Sequence, residues 1–302
     1  MAPFFWAIAL APVAPSAAQP SVDPASAIEI IGMAPPEIRR EATEYVQRLG
    51  IANGSKPAGR WIDSICPHAI GLETAQETIV EQQVRSIAQS VGAPLGKAKC
   101  DPNLLIVFTD DPKGVVKAVF RKLQLTSDSV GDRKALETGD QPVRWWYSSE
   151  FRNRDGAEGS ALPPALKVET QDPGGPGITE GGLHSNDHST SITQSGASLI
   201  STQLKRAITH ATVVVDVRGA TGKSLKSVVD YASLVGLAEV RLGASAPNSI
   251  LNLFSPDQKP VELTVTDQAF LRTLYAMSLD RKADQHRRIL IGQIIRERTG
   301  KN

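Results

Sequence analysis

Two uninterrupted apolar runs, Leu104-Leu105-Ile106-Val107-Phe108 and Val213-Val214-Val215, constrain this chain more than any other feature. A strand with one wet face alternates apolar and polar residues, whereas a run that is apolar throughout reads as a strand buried in a sheet interior. Helical patterns surround both runs. Ile79, Val80, Val84, Ile87 and Val91 recur along the inner face of a helix predicted over Glu73 to Val91. Further helices are predicted from Pro36 to Leu49 with Gly50 beyond, from Pro112 to Leu123, and from Ser224 to Gly236. A last one, from Asp280 to Arg298, carries Ile291, Ile294 and Ile295 on its apolar face, and Gly300 follows it. Extended pieces are expected at Ala27 to Ile31, Trp61 to Cys66, Asn103 to Thr109, Val143 to Phe151 and Thr212 to Val217, and Ser198 to Ala207 reads as a strand or a short helix. The pattern implies a mixed α/β (α+β) fold with a three- to five-stranded sheet, backing helices and a helical C-terminus.

The charge balance excludes one class of partner. Lys and Arg number 33 against 32 Asp and Glu, a net charge of +1, so the chain has no global field for nucleic acid. Phe4 to Val13 is a short apolar run followed by Ser16-Ala17-Ala18, which predicts a signal peptide over residues 1–18, although no basic residue precedes the run. No later segment reaches 18 uninterrupted apolar residues, and no Cys stands at the cleavage site. Residues 19–302 are then expected to form one domain, periplasmic or secreted, with an irregular insertion at 155–195 that is rich in Gly, Pro, Ser, Thr and Asn. Cys66 and Cys100 are the two cysteines, and an even pair in an exported chain reads as a disulfide.

The segment Val228 to Tyr275 offers a motif-level reading. An apolar helix runs to Gly236, Ser249-Ile250-Leu251-Asn252-Leu253-Phe254 follows, and Leu263-Thr264-Val265-Thr266-Asp267 opens a helix reaching Leu274-Tyr275. This order resembles the C-terminal part of matrixin-type metzincins, in which a helix carries H-E-x-x-H-x-x-G-x-x-H and is followed by a turn Met and a helix ending in Leu-Tyr. With the motif glycine placed on Gly236, its first His falls on Val229, its general base on Asp230, its second His on Ser233 and its third ligand on Glu239. The turn Met becomes Leu251. Valine has no lone pair and a serine hydroxyl is a poor zinc ligand, so the resemblance implies a zincin-like scaffold with no metal, no cofactor and no catalytic residue. The bland reading of the same helix is a buried stripe, Leu225, Val228, Val229, Ala232 and Val235.

Other constellations point elsewhere. Trp61-Ile62-Asp63-Ser64-Ile65-Cys66-Pro67, Gly71-Leu72 and Cys100-Asp101-Pro102-Asn103 together resemble a group of exported alphaproteobacterial proteins of unknown function, which implies a compartment and no chemistry. Trp145 and Trp146, adjacent in a strand and therefore on opposite faces, are candidates to flank a peptide cleft or else to pack an edge. Gly219-Ala220-Thr221-Gly222-Lys223-Ser224 imitates a phosphate loop, but Val217 stands where its first glycine belongs, and Ser224 reads equally as a helix N-cap. His184 and His188 fall in the insertion, His210 at a strand entrance, and His286 on a helix face read as solvent-exposed among Arg281, Lys282, Arg287 and Arg288. There is no G-x-S-x-G elbow, because Pro247 follows Gly243-Ala244-Ser245-Ala246. The expected function is non-catalytic binding of a peptide or envelope component; the alternative is a periplasmic hydrolase using Asp230, Glu239 or an unrecognised group.

Overall fold

A computed structural model describes residues 35–123, 130–153, 204–256 and 260–300, all within one compact unit spanning 34–302. The predicted signal peptide, the strand at Ala27 to Ile31, the insertion 155–195 and its histidines His184 and His188 lie outside the described residues. The fold is mixed α/β. In chain order its elements are α1 (Pro36–Leu49), β1 (Gly59–Trp61), β2 (Pro67–Ile70), α2 (Thr74–Ser90), β3 (Leu104–Thr109), α3 (Pro112–Leu123), α4 (Val130–Thr138), β4 (Val143–Asn153), β5 (Leu204–Asp216), α5 (Leu225–Leu237), α6 (Val265–Ala276) and α7 (Ala283–Thr299).

Strand β5 organises the sheet. Along one edge it pairs antiparallel with the whole of β4, and along the other it takes two parallel partners end to end. Gly59–Trp61 of β1 sits opposite Arg206–Ile208, and Leu104–Thr109 of β3 sits opposite Ala211–Asp216. Strand β2 then adds in parallel to the far side of β3. Helices α2 and α5 pack together on one face over Leu104, Ile106, Val213 and Val215. Helices α3 and α4 cover the other face through Val116, Phe120 and Leu136 against Trp146 and Val214. The apolar runs are therefore covered on both sides, although in β3 only the α5 side is fully buried and Leu105 and Val107 are half-buried.

One irregularity explains a difference from expectation. The β4–β5 register shifts at Ser148/Ser149, where Thr209 is the extra residue of a β-bulge and its hydroxyl donates to the Ser148 carbonyl at 3.1 Å. The extra residue changes the parity of the strand, so Arg206 and Ile208 share a face with Ala211, Val213 and Val215. A strand or short helix at Ser198 to Ala207 and a strand at Thr212 to Val217 were expected here; from Leu204, where the described residues resume, the chain forms one 13-residue strand whose alternation breaks in the middle. Likewise only Trp61 of the expected extended segment Trp61 to Cys66 joins the sheet, as the last residue of β1, while Ile65 makes an isolated bridge to Leu95. Helix α4 answers to no expected element.

Cys66 and Cys100 form a disulfide with an S–S distance of 2.07 Å. It ties the start of β2 to the start of β3, where Asn103 also accepts from the Cys66 amide at 2.7 Å. Gly236 does not end its helix. It lies inside α5 above β3, where a Cβ would come 2.9 Å from Leu104 Cδ1, so the residue is small because helix and sheet approach closely. At the C-terminus, α1, α6 and α7 pack together, with Tyr45 and Phe270 in tilted ring contact at 5.8 Å.

Candidate functional site

The last turn of a helix leaves carbonyls without intrahelical partners. At α5 these carbonyls meet aromatic donors from three other elements. Trp61 Nε1 of β1 donates to Gly236 O at 2.9 Å, and Tyr275 of α6 donates to Leu237 O at 2.7 Å. From β4, the Tyr147 hydroxyl lies 2.6 Å from Val235 O and 2.8 Å from Ala238 O, and accepts from the Val240 amide at 3.1 Å. Trp145 Nε1 donates to Val240 O at 2.8 Å and its ring meets Tyr231 edge-on at 6.0 Å. Neither tryptophan proposed to flank a cleft faces solvent: Trp145 is 2 % exposed beneath α5, and Trp146, 6 % exposed, packs on Phe120 under α3.

The four motif positions on and after α5 are all occupied with the domain's own framework. Val229 is fully buried core. The Ser233 hydroxyl donates to Val229 O at 2.7 Å, the local back-bond of a helical serine. Asp230 is buried on the side facing α2. It accepts from Gln83 at 2.5 Å, from the Leu263 amide at 3.1 Å and from Lys226 at 3.2 Å. Glu239 sits past the helix end and takes a bidentate pair from Arg206, at 2.6 and 2.9 Å, with Lys56 at 2.9 Å. Burial pushes the Glu239 carboxyl up, yet the Arg206 and Lys56 cations outweigh it and hold the group below the usual carboxylate range. Leu251, at the turn-Met position, is buried in a 3-10 turn, Ile250–Asn252, that packs against α5.

Sequence reasoning passed over the most heavily hydrogen-bonded acid among these. Asp267, fully buried in the first turn of α6, accepts from the Tyr45 hydroxyl at 2.8 Å, the Ser249 hydroxyl at 2.7 Å, the Ile250 amide at 2.8 Å and the Thr264 amide at 3.0 Å. Burial raises its carboxyl and these donors pull against the rise. The signal was present as Thr264-x-x-Asp267 before an apolar run, a capping box that the structure forms. Beside it, a depression of about 490 Å³ is lined by Asn248, Ser249, Pro260, Thr264 to Thr266 and Arg298, and by none of the motif positions.

Strands β3 and β5 are parallel neighbours that lead to helices on opposite faces, the arrangement at which open α/β sheets bind ligands beyond the strand ends. The phosphate-loop imitation lies here, but the Gly219, Ala220, Thr221 and Lys223 amides already have acceptors within the turn. Arg218 and Gly219 donate to Asp216 Oδ1 at 2.9 and 3.2 Å, Ala220 to Asp216 O, Thr221 to Arg218 O and Lys223 to Ala220 O. Ser224 caps α5 by accepting from Ser227 N at 3.0 Å. Nearby, Arg144 is 1 % exposed and caps α4 through Gly139 O, while its Nε and Nη1 and the Gln141 Oε1 are the buried side-chain atoms without a partner among the described residues.

The histidines separate clearly. His210 is exposed on β5 next to the bulge. His286, expected on a wet face, is instead fully buried, because it shares the inner stripe of α7 with Ala283, Leu290 and Ile294. Of the arginines near it in sequence, Arg288 does face outward, on Asp284 at 2.7 Å, whereas Arg298 ties α7 to Glu41 of α1 at 2.7 Å. No group of three or more His, Cys, Asp or Glu among the described residues has metal-binding geometry. Comparison with known proteins finds no matching family model, no matching curated protein and no matching solved structure.

Proposed function

We propose that this chain is a zincin-like domain of an exported protein that binds an extended peptide or envelope component and does not hydrolyse it. The observation that carries the reading is the use of the motif positions. A zinc peptidase needs two imidazoles and a third ligand aimed at one open point. Here Val229 fills core, Ser233 bonds to its own helix, and Asp230 and Glu239 are held by Gln83, Lys226, Arg206 and Lys56. The same engagement weighs against a hydrolase using Asp230 or Glu239, because a general base needs a lone pair directed at substrate.

Three features support the scaffold reading: an antiparallel strand at the sheet edge, a helix following the strand beside it, and a turn at Leu251 packed under that helix. The binding surface in this reading is the outer edge of β4. No described strand pairs with it, and its 11 residues offer main-chain donors and acceptors to an added strand. The aromatic side chains Trp145, Trp146 and Tyr147 of β4 are engaged inside and Ser149 is bonded to Arg206, so recognition would run through its backbone. The disulfide suits an oxidising compartment, and no helix among the described residues is long and apolar enough to cross a membrane.

The test combines metal content with binding. Purified untagged protein should hold less than about a tenth of an equivalent of zinc and leave general protease substrates intact. Adding extended peptides should slow amide exchange along β4. About one equivalent of zinc, or chelator-sensitive cleavage, would overturn the reading.

A further inference from the structure

The two ring nitrogens of His286 have partners of opposite kind. The Ala58 amide donates to Nδ1 at 3.1 Å, so Nδ1 must present a lone pair. Nε2 lies 3.0 Å from the Ser278 carbonyl oxygen, which can only accept, so Nε2 must carry the proton. Together the contacts fix the neutral Nε2–H tautomer in a fully buried site. An imidazolium has no lone pair at Nδ1. Its second N–H would point at the N–H of Ala58, turning an attractive contact into a repulsive one.

The charges around the ring do not compensate. Arg60 of β1 and Arg281 before α7 face it with positive charge, and Asp280 is the acid that opposes them. Asp280 already accepts from the Ser278 hydroxyl at 2.6 Å and has Arg281 at 3.7 Å. Burial first, and then the two guanidiniums, hold the ring below the usual imidazole range, against the Ser278 carbonyl and Asp280. Within α7, Arg287 points away from the ring to the carbonyls of Ala52 and Gly54.

We propose that His286 is a proton-operated latch that fastens the chain entering β1 to α7 and lets it go in acid. The proton comes from solvent and binds Nδ1, and the Ala58 hydrogen bond is the one that breaks. Release is local, because Arg287 still holds α7 to Ala52. It nevertheless reaches the sheet. Ala58 immediately precedes β1, a three-residue strand that among the described residues pairs with β5 and, through Arg60, makes a single bridge to Ala238. Gly59 lies so close to Glu239 that a Cβ there would be 2.4 Å from Oε2, so loosening β1 loosens the packing over the Glu239, Arg206 and Lys56 cluster.

Nuclear magnetic resonance on the full-length, nitrogen-15-labelled protein tests this between pH 7.5 and 4. At pH 7.5 the ring nitrogens should show the Nε2–H tautomer. As His286 titrates, the protection of the Ala58 amide, corrected for intrinsic exchange, should fall at least tenfold with the same midpoint. His286→Asn keeps an acceptor for Ala58 without a titrating ring, and its Ala58 protection should stay flat. The proposal fails if the neutral ring is the Nδ1–H tautomer or if Ala58 protection does not change with the ring. It fails equally if the ring stays neutral to pH 4, or if His286→Asn loses protection as the wild type does. The wild-type titration decides the matter even where the variant does not fold.

Discussion

Asp267 and Tyr147 show how far single side chains hold this molecule together. Asp267→Ala would leave three buried donors and the part-buried Thr264 amide without their acceptor and should lower stability by about 3–5 kcal/mol, whereas Tyr45→Phe, which removes one donor, should cost about 1 kcal/mol. Denaturant titration of both variants measures the difference. Tyr147→Phe strips the C-terminus of α5 of its hydroxyl and should cost about 1–3 kcal/mol with the fold retained. These residues were only partly legible beforehand. The capping box at Thr264 was readable, and so was the stripe Ala283, His286, Leu290, Ile294, which runs at helical spacing. The density of arginines around His286 hid that stripe. That Tyr147 would serve carbonyls at the end of a helix some ninety residues later, and Trp145 the Val240 carbonyl just past it, could not be read, because nothing local to β4 encodes it.

Among elements, those with a regular period were legible and those with an interruption were not. Helices α1, α2, α3, α5, α6 and α7 and strands β3 and β4 fall where apolar spacing and caps predict them. Strand β5 read as two pieces because Thr209 shifts its alternation. Helix α4 escaped because its apolar positions are few and it stands on Leu136 against Trp146 and Val214, a tertiary support. Two glycines test the packing between elements. Gly236→Ala pushes a methyl against the movable end of Leu104 and should cost about 1–3 kcal/mol. Gly71→Ala should cost more, because its φ is +95° and a Cβ would lie 2.0 Å from the rigid Phe108 carbonyl oxygen. The disulfide contributes at the same scale: replacing Cys66 and Cys100 by Ser should lower stability by about 2–4 kcal/mol and leave the hydrogen bonds around Asn103 in place.

For the whole molecule, stability should decline toward acid in two stages. His286 is held low, so the unfolded chain binds the extra proton first and stability falls as pH drops below about 6.5, its ordinary value. Glu239 is also held low, and its contribution is present above about 4.5 and lost as pH falls through its folded value. Melting curves across this range should show both declines, with His286→Asn removing the first. The mixed α/β class was legible from the two apolar runs and the helices between them; the assignment of partners around β5 was not, because it is made across long stretches of chain. That arrangement also dictates an order of assembly. Strand β5 is made after β1, β3 and β4, and all three require it as a neighbour. As the chain emerges from the ribosome, the strand that joins them is missing until residue 216 has appeared. The central strand is the last to arrive, so folding must wait for nearly three quarters of the polypeptide. Until then the edges that await it are open to mispairing, and pairing made over such long stretches of chain predicts slow folding.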